Sequence, residues 1–334
     1  MKVISYVVRV IFSLLVLSSM GYAQETDIRV HDPVMIQQGD TYYLFCTGMG
    51  ISVFSSPDMT HWKEEKSVFN QAPAWTEKVV PGFRGHMWAP DISVHNGTYY
   101  LYYSVSAFGK NTSAIGLATN TTLDPTATDF EWKDQGIVVQ SVPNRDLWNA
   151  IDPNLITDRE GTPWLAFGSF WEGMKLVKLA PDRTALADPP EWHTLAKRKR
   201  SAFLPDADPG DAAIEAPFIF QKDSLYYLFV SWDYCCRGEN STYKVVVGRS
   251  EKVTGPYLDK EGKPMTEGGG SLVIEGDERW AGVGHNSTYT FDGKDYLVFH
   301  AYDSQNEGRP TLKIAEIRWT KDGWPEVSPA VLAE

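Results

Sequence analysis

The sequence predicts an all-β protein, a single five-bladed β-propeller, and two observations carry that expectation. The first is a phrase that occurs five times: a leading residue, a strand-like run, a turn, then an aromatic strand centred on Leu44, Leu101, Leu165, Leu228 or Leu297. The second is its spacing. The leading residues Asp32, Ala89, Asp152, Glu215 and His285 are 57, 63, 63 and 70 positions apart, somewhat longer than the common propeller periods of about 40 to 50. Each interval holds one four-stranded blade, and blades arranged radially protect one another's edges.

Taken in order, Asp32-Pro-Val-Met-Ile and Thr41-Tyr-Tyr-Leu-Phe45 open the first blade. Ala89-Pro-Asp-Ile-Ser with Thr98-Tyr-Tyr-Leu-Tyr102 opens the second, and Asp152-Pro-Asn-Leu-Ile with Pro163-Trp-Leu-Ala-Phe167 the third. Glu215-Ala-Pro-Phe-Ile with Leu225-Tyr-Tyr-Leu-Phe229 opens the fourth, and His285-Asn-Ser-Thr-Tyr with Asp295-Tyr-Leu-Val-Phe299 the fifth. Aromatic and β-branched runs bounded by turn residues are strand signals. The remaining C-terminal stretch, including Thr311–Ile317, is expected to complete the last blade. No Pro/Ser/Gly linker divides the chain, so residues 24–334 read as one domain.

Residues 1–23 have the pattern of a secretory signal: Lys2 and Arg9, the apolar core Val10–Leu17, and small residues at Gly21-Tyr-Ala23. No Cys follows that core, which argues against a lipoprotein anchor, and no later stretch reads as a membrane span. A secreted or periplasmic monomer is expected. The formal charge of −12 offers no clustered cationic surface for nucleic acid or anionic lipid, whereas 12 Trp in an acidic secreted chain suit a neutral partner such as a polysaccharide, although most Trp in any fold pack in its core. The three cysteines are too few for a disulfide framework or a zinc site. Cys46 reads as a buried small hydrophobe. Cys235 and Cys236 can form a vicinal disulfide or line a wall as two thiols, and the thiol form is the expectation.

Equivalent positions of successive blades are related by rotation about the central axis, so Asp32, Asp152, Glu215 and His285 should converge on one end of it. An isolated Asp-Pro is an ordinary turn opening. The same register in several blades is not explained by turn chemistry. No nucleophile elbow, phosphate-binding glycine loop or metalloprotease His pair is present. Convergent carboxylates are the apparatus of glycosidic bond cleavage, in which one protonates the leaving oxygen and another attacks the sugar or activates water.

The blocks Val30-His-Asp-Pro33, Met87-Trp-Ala-Pro-Asp-Ile92, Ala150-Ile-Asp-Pro-Asn154, Ile214-Glu-Ala-Pro217 and Gly284-His-Asn-Ser287 together resemble the five blade motifs of glycoside hydrolase family 43. Asp233-Tyr-Cys-Cys-Arg-Gly238 and Val298-Phe-His-Ala-Tyr-Asp303 are similar to its endo-acting α-1,5-L-arabinanases. The resemblance runs from about residue 28 to the C-terminus. It implies a five-bladed propeller that hydrolyses arabinan and arabino-oligosaccharides by inversion, with Asp32 as general base, Asp152 as the carboxylate that orients and tunes the acid, and Glu215 as general acid. An inverting pair should stand about 6.5–9.5 Å apart, leaving room for water. The resemblance further implies a hydrated Ca²⁺ on the axis with His285 as its main protein ligand, although calcium ordinarily prefers several oxygen donors.

The second blade carries Trp88-Ala89 in place of a charge, and the Trp88 ring can serve as a sugar platform. Phe108, Ser169 and Phe170 match substrate-lining positions, and Asn149 and Cys235 are expected to line the cleft. His86, Asp91 and Arg237 are expected behind these groups. Two rival functions share this pattern. One is an exo-acting α-L-arabinofuranosidase or β-xylosidase of the same family; the other is a non-catalytic glycan-binding propeller, which would have no need of an acid and a base across one pocket.

Overall fold

The computed structural model describes residues 27–332, and the expected signal segment at 1–23 lies outside the described residues. Five antiparallel sheets follow one another along the chain. Blade I comprises Val34–Gln38, Thr41–Cys46, Ser52–Ser56 and Lys63–Glu64; blade II comprises His86–His95, Thr98–Val105, Ser113–Asn120 and Lys133–Ser141, with Gly48–Met49 of the preceding blade added at its inner edge. Blade III comprises Asn154–Thr157, Pro163–Phe167, Met174–Lys178 and Trp192–Ala196. Blade IV comprises Ile214–Lys222, Leu225–Trp232, Lys244–Ser250 and Ser271–Glu275. Blade V comprises Trp280–Phe291, Lys294–Asp303, Arg309–Trp319 and Pro325–Val327. The protein is a five-bladed β-propeller, as its repeats predict. No described helix is long and apolar enough to cross a membrane.

The core divides into five clusters, one between each pair of neighbouring blades. Alternation along the second strand explains this, because successive side chains point to opposite faces of a sheet. In blade I, Tyr42, Leu44 and Cys46 pack towards blade V, whereas Tyr43 and Phe45 pack towards blade II. The same rule holds in every blade: Leu44, Leu101, Leu165, Leu228 and Leu297 face the preceding blade and have no exposed surface. The residues that follow them face the next blade. A one-residue slip would exchange these two faces, so the recurring Leu fixes the register.

Thr311–Ile317 does belong to the last blade, and it also closes the ring. The outer edge of Arg309–Trp319 is paired at one end by Pro325–Val327 and at the other by the N-terminal segment, through an antiparallel bridge between Arg29 and Thr311. Val30 N–H donates to Pro310 O at 3.2 Å and Leu312 N–H to Ile28 O at 3.2 Å. Ile28 and Val30 are buried in the cluster between blades V and I.

Candidate active site

At the inner end of each first strand one residue adopts the left-handed conformation: Asp32 (φ 56°), Ala89 (40°), Asp152 (59°), Ala216 (55°) and His285 (50°). Non-glycine residues seldom do so, and such positions persist where their surroundings over-determine them. Here each strained N–H is captured by a side chain. Ala89 N–H donates to Thr47 Oγ1 at 2.8 Å, Asp152 N–H to Ser104 Oγ at 3.0 Å, His285 N–H to Ser231 Oγ at 2.8 Å and Asp32 N–H to His300 Nδ1 at 3.1 Å. Thr47, Ser104, Ser231 and His300 all stand three residues beyond the central Leu of the preceding blade. Blade III carries Gly168 at that place and cannot supply a side chain. Its φ of +133° and a would-be Cβ only 3.1 Å from Gly173 O explain the glycine. The Asp152 carboxylate takes over instead, accepting Ala216 N–H on Oδ2 at 3.1 Å.

In blade IV the left-handed residue is thus Ala216, and Glu215 stands one position earlier than the repeat register suggests. Asp152 lies equally far from its central Leu for a different reason: the first hairpin of blade III has a longer turn, between Thr157 and Pro163, so Asp152 is on the register whereas Glu215 is not. Adjacent residues project differently, so Glu215 is placed unlike Asp32 and Asp152. A bridge between Ser169 and Glu215, with Phe170 N–H donating to Ile214 O at 2.8 Å, carries blade III against this strand.

Asp32, Asp152, Glu215 and His285 line one cavity of about 820 Å³. Asp32 Oδ1 meets His31 Nδ1 at 2.8 Å and His285 Nδ1 at 2.9 Å, and Oδ2 accepts the Thr47 hydroxyl at 2.5 Å. Burial opposes ionisation of Asp32, but His285 and His31 outweigh it and hold the carboxyl well below the usual range. Burial likewise opposes charge on His285, yet Asp32 and Asp152 bring it to about 9. Burial pushes the Asp152 carboxyl up to about 8, with Glu215 among the charges that add to the effect. At neutral pH Asp32 therefore stays ionised, whereas burial and the neighbouring negative charges disfavour ionisation of Asp152. Glu215 is gripped on both oxygens, Oε2 by Ser169 Oγ at 2.7 Å and Oε1 by the Tyr243 hydroxyl.

Trp88, Phe108, Asn149, Ser169 and Cys235 also line the cavity, as do Phe170, His86 and Arg237. Trp88 Nε1 donates to His86 Nδ1 at 2.9 Å, which fixes the indole, and Phe108 is 80% exposed at the rim. Asn149 is buried, with Oδ1 unpartnered among the described residues. Ala89 does not line the cavity. It has the same left-handed backbone as Asp32 and Asp152, with its N–H tied to Thr47, but only a methyl group where they carry a carboxylate, and it stays buried behind the wall. Asp91 is also elsewhere: its Oδ2 accepts Leu155 N–H at 2.7 Å, bracing blade II against blade III. The expectation of two thiols is corrected, since Cys235 and Cys236 form a vicinal disulfide.

For a metal, His285 has one nitrogen engaged by Asp32, which leaves Nε2 as its only point of attachment. The surrounding carboxylates favour a cation there. The donor set fits a largely hydrated ion that competes with the imidazolium proton.

The repeat-based reading missed His31, Thr47, Tyr243, His300 and Tyr302. His300 Nδ1 accepts Asp32 N–H, so its other nitrogen carries the proton and faces Tyr302 Oη at 3.3 Å; Tyr302 Oη in turn meets His31 Nε2 at 2.6 Å. A closed relay thus begins and ends on Asp32. Cys236 N–H also donates to Tyr302 Oη, at 2.9 Å, joining the two C-terminal motifs at this point. The signal for Thr47, Ser104, Ser231 and His300 was their shared offset from the central Leu.

The model of glycosyl hydrolases family 43 matches residues 26–325. The chain belongs to glycosyl hydrolases family 43. It is 57% identical over 300 residues to the extracellular exo-α-(1→5)-L-arabinofuranosidase of Cellvibrio japonicus, covering 90% of this chain and 86% of that protein. It is 43% identical over 300 residues to the extracellular endo-α-(1→5)-L-arabinanase 1 of Bacillus subtilis, covering 89% and 87%. Among solved structures, the α-L-arabinanase of Cellvibrio cellulosa in complex with arabinohexaose superimposes with a TM-score of 0.91 at 55% identity, covering 92% of this chain and 97% of that one. Membership of family 43 makes this protein a glycoside hydrolase and removes the non-catalytic propeller from consideration.

Proposed function

We propose that this protein hydrolyses the α-1,5-linked L-arabinofuranosidic bonds of arabinan by inversion, with Asp32 as base, Glu215 as acid and Asp152 as the group that positions and tunes Glu215. The observation that carries this reading is the opposed electrostatics within one cavity. Two imidazoles hold Asp32 in its charged form, while burial and neighbouring charge raise the Asp152 carboxyl, so that a further negative charge is disfavoured in the part of the site that contains Glu215. Asp152 also fixes the backbone next to Glu215 through Ala216 N–H.

In the reaction, Glu215 protonates the glycosidic oxygen as its bond to the anomeric carbon breaks. Water adds to that carbon and gives its proton to Asp32. Trp88 offers a sugar an aromatic face. His285 would hold the axial Ca²⁺ through Nε2, and the ion would supply positive charge next to the carboxylates. Residues 1–23 would direct export, in keeping with relatives named as extracellular.

Mode of attack is the finer question. Motif resemblance led to the expectation of endo cleavage, but the exo-acting relative shares 57% identity and the endo-acting one 43%. Cleavage from a chain end is therefore the reading we favour. Incubation with linear α-1,5-arabinan, with early products sized by chromatography, tests both levels. A single short product from the outset supports chain-end attack, a ladder of lengths restores endo cleavage, and no product from arabinan refutes the substrate assignment.

A further inference from the structure

We propose that Tyr243 is a positioning residue for the acid: its hydroxyl reserves Glu215 Oε1 as an acceptor, so that the proton destined for the leaving group stands on Oε2. This rests on the reading of Glu215 as the acid.

The two hydroxyls on the Glu215 carboxyl differ in kind. Ser169 lines the cavity and its Oγ lies 2.7 Å from Oε2, whereas Tyr243 is 2% exposed and approaches Oε1 from behind. The phenol occupies a built slot. A Cβ at Gly284 would lie 2.3 Å from Tyr243 Cδ2, so glycine at 284, part of the fifth blade motif, is what admits the ring. Val283 N–H donates to Tyr243 O at 3.0 Å and holds the backbone of the same residue. Burial first, then the charges of Glu215 and Asp152, push the Tyr243 hydroxyl well above its ordinary value, so it keeps its proton and remains a donor.

A proton on Oε1 would face the phenolic proton. A proton on Oε2 meets a serine hydroxyl that can turn to accept it. In the step itself, the Oε2 proton passes to the glycosidic oxygen, the bond from that oxygen to the anomeric carbon breaks, and its electron pair stays on the oxygen. The attacking water's proton passes to Asp32. Glu215 is left as a carboxylate with the Tyr243 hydroxyl still on Oε1 and Ser169 turned back to donate to Oε2. The phenol thus both selects the oxygen that carries the proton and stabilises the charge left when the proton departs, a role whose removal costs most in the transition state.

Tyr243→Phe keeps the ring in its slot and removes only the hydroxyl. We expect kcat on α-1,5-arabino-oligosaccharides to fall by about tenfold to a hundredfold with KM unchanged. On aryl α-L-arabinofuranosides whose dinitrophenolate leaving group needs no proton, the loss should be under about threefold. Gly284→Ala, which displaces the phenol without deleting it, should reproduce the split. Equal losses of Tyr243→Phe on both substrate types, or a change confined to KM, would overturn the inference. Glu215→Ala separates the two levels. If it shows the leaving-group split and Tyr243→Phe does not, only the role of Tyr243 fails; if Glu215→Ala shows none, the acid assignment fails and takes the inference with it.

Discussion

Thr47→Val removes one hydroxyl with almost no change of shape, and the structure gives that hydroxyl two partners. It donates to Asp32 Oδ2 at 2.5 Å and accepts Ala89 N–H at 2.8 Å, in a place where Asp32 and Ala89 are both buried. Losing a hydrogen bond to a charged group costs about 1.5–3 kcal/mol, and leaving a buried N–H unpaired costs about 1–3 kcal/mol. The variant should therefore lose about 2.5–6 kcal/mol, which in a chain of this size lowers Tm by roughly 4–9 °C. Ser104→Ala and Ser231→Ala each free one N–H, of Asp152 and His285 respectively, without touching a carboxylate oxygen through the same hydroxyl. They should lose about 1–3 kcal/mol. Differential scanning calorimetry at pH 6 orders the three. A Thr47→Val melting temperature within 2 °C of wild type, or one no lower than those of the serine variants, would refute the argument that these side chains hold the strained inner ends of the blades.

Three further outcomes are expected. Asp32 and Glu215 come from non-adjacent blades, so water should attack from the Asp32 side, and proton NMR of the first-formed product from an arabino-oligosaccharide should show the inverted anomer; a retained anomer would mean a covalent intermediate and a different role for Asp32. Asp91 is buried and raised to about 7, so between the unfolded carboxyl value and pH 7 the unfolded chain ionises while the folded one does not, and stability must fall as pH rises across that window. Asp91→Asn should flatten the profile of urea-unfolding free energy from pH 4 to 7, and an unchanged slope would count against the assignment. Chelation should lower activity or thermal stability if His285 holds an axial ion, since an ion bound to the folded state stabilises it by mass action; His285→Ala should abolish the chelator effect, and a metal-free wild type indifferent to chelator would return His285 to its role as the cationic partner of Asp32.

The blades were legible because the five central Leu residues recur with alternating aromatic neighbours, and that alternation is what five inter-blade clusters require. Asp32, Asp152 and His285 were legible for the same reason: rotation carries one register to one place, and Glu215 was legible because it stands one residue from Ala216, which holds that register in blade IV. Legibility stopped where a role depends on a neighbouring blade. Ala89 shares the register and the left-handed backbone of Asp32, but its methyl group leaves it in the wall. Tyr243 immediately precedes the third strand of blade IV and reaches Glu215 only because Gly284, in the next blade, leaves room. Asp91 has the residue type of a site member and is spent on bracing blade III. Chemical bonding of Cys235 to Cys236 depends on the turn that follows Trp232, which composition does not encode.

The Arg29–Thr311 bridge has a consequence for the order in which the enzyme becomes competent. Asp32 stands three residues past Arg29, among the earliest parts of the domain to be synthesised, yet its N–H is held by His300 and its carboxylate by His285, near the other end of the chain. Without blade V, Asp32 lacks both the His300 ring that holds its N–H and the His285 ring that meets its carboxylate. The proposed catalytic base is therefore fully held only once the first segment of the chain is docked on the last blade. An incompletely closed ring would carry Glu215 and Asp152 but no counterpart to draw the proton from water, so the closing segment is a condition of chemistry as well as of stability.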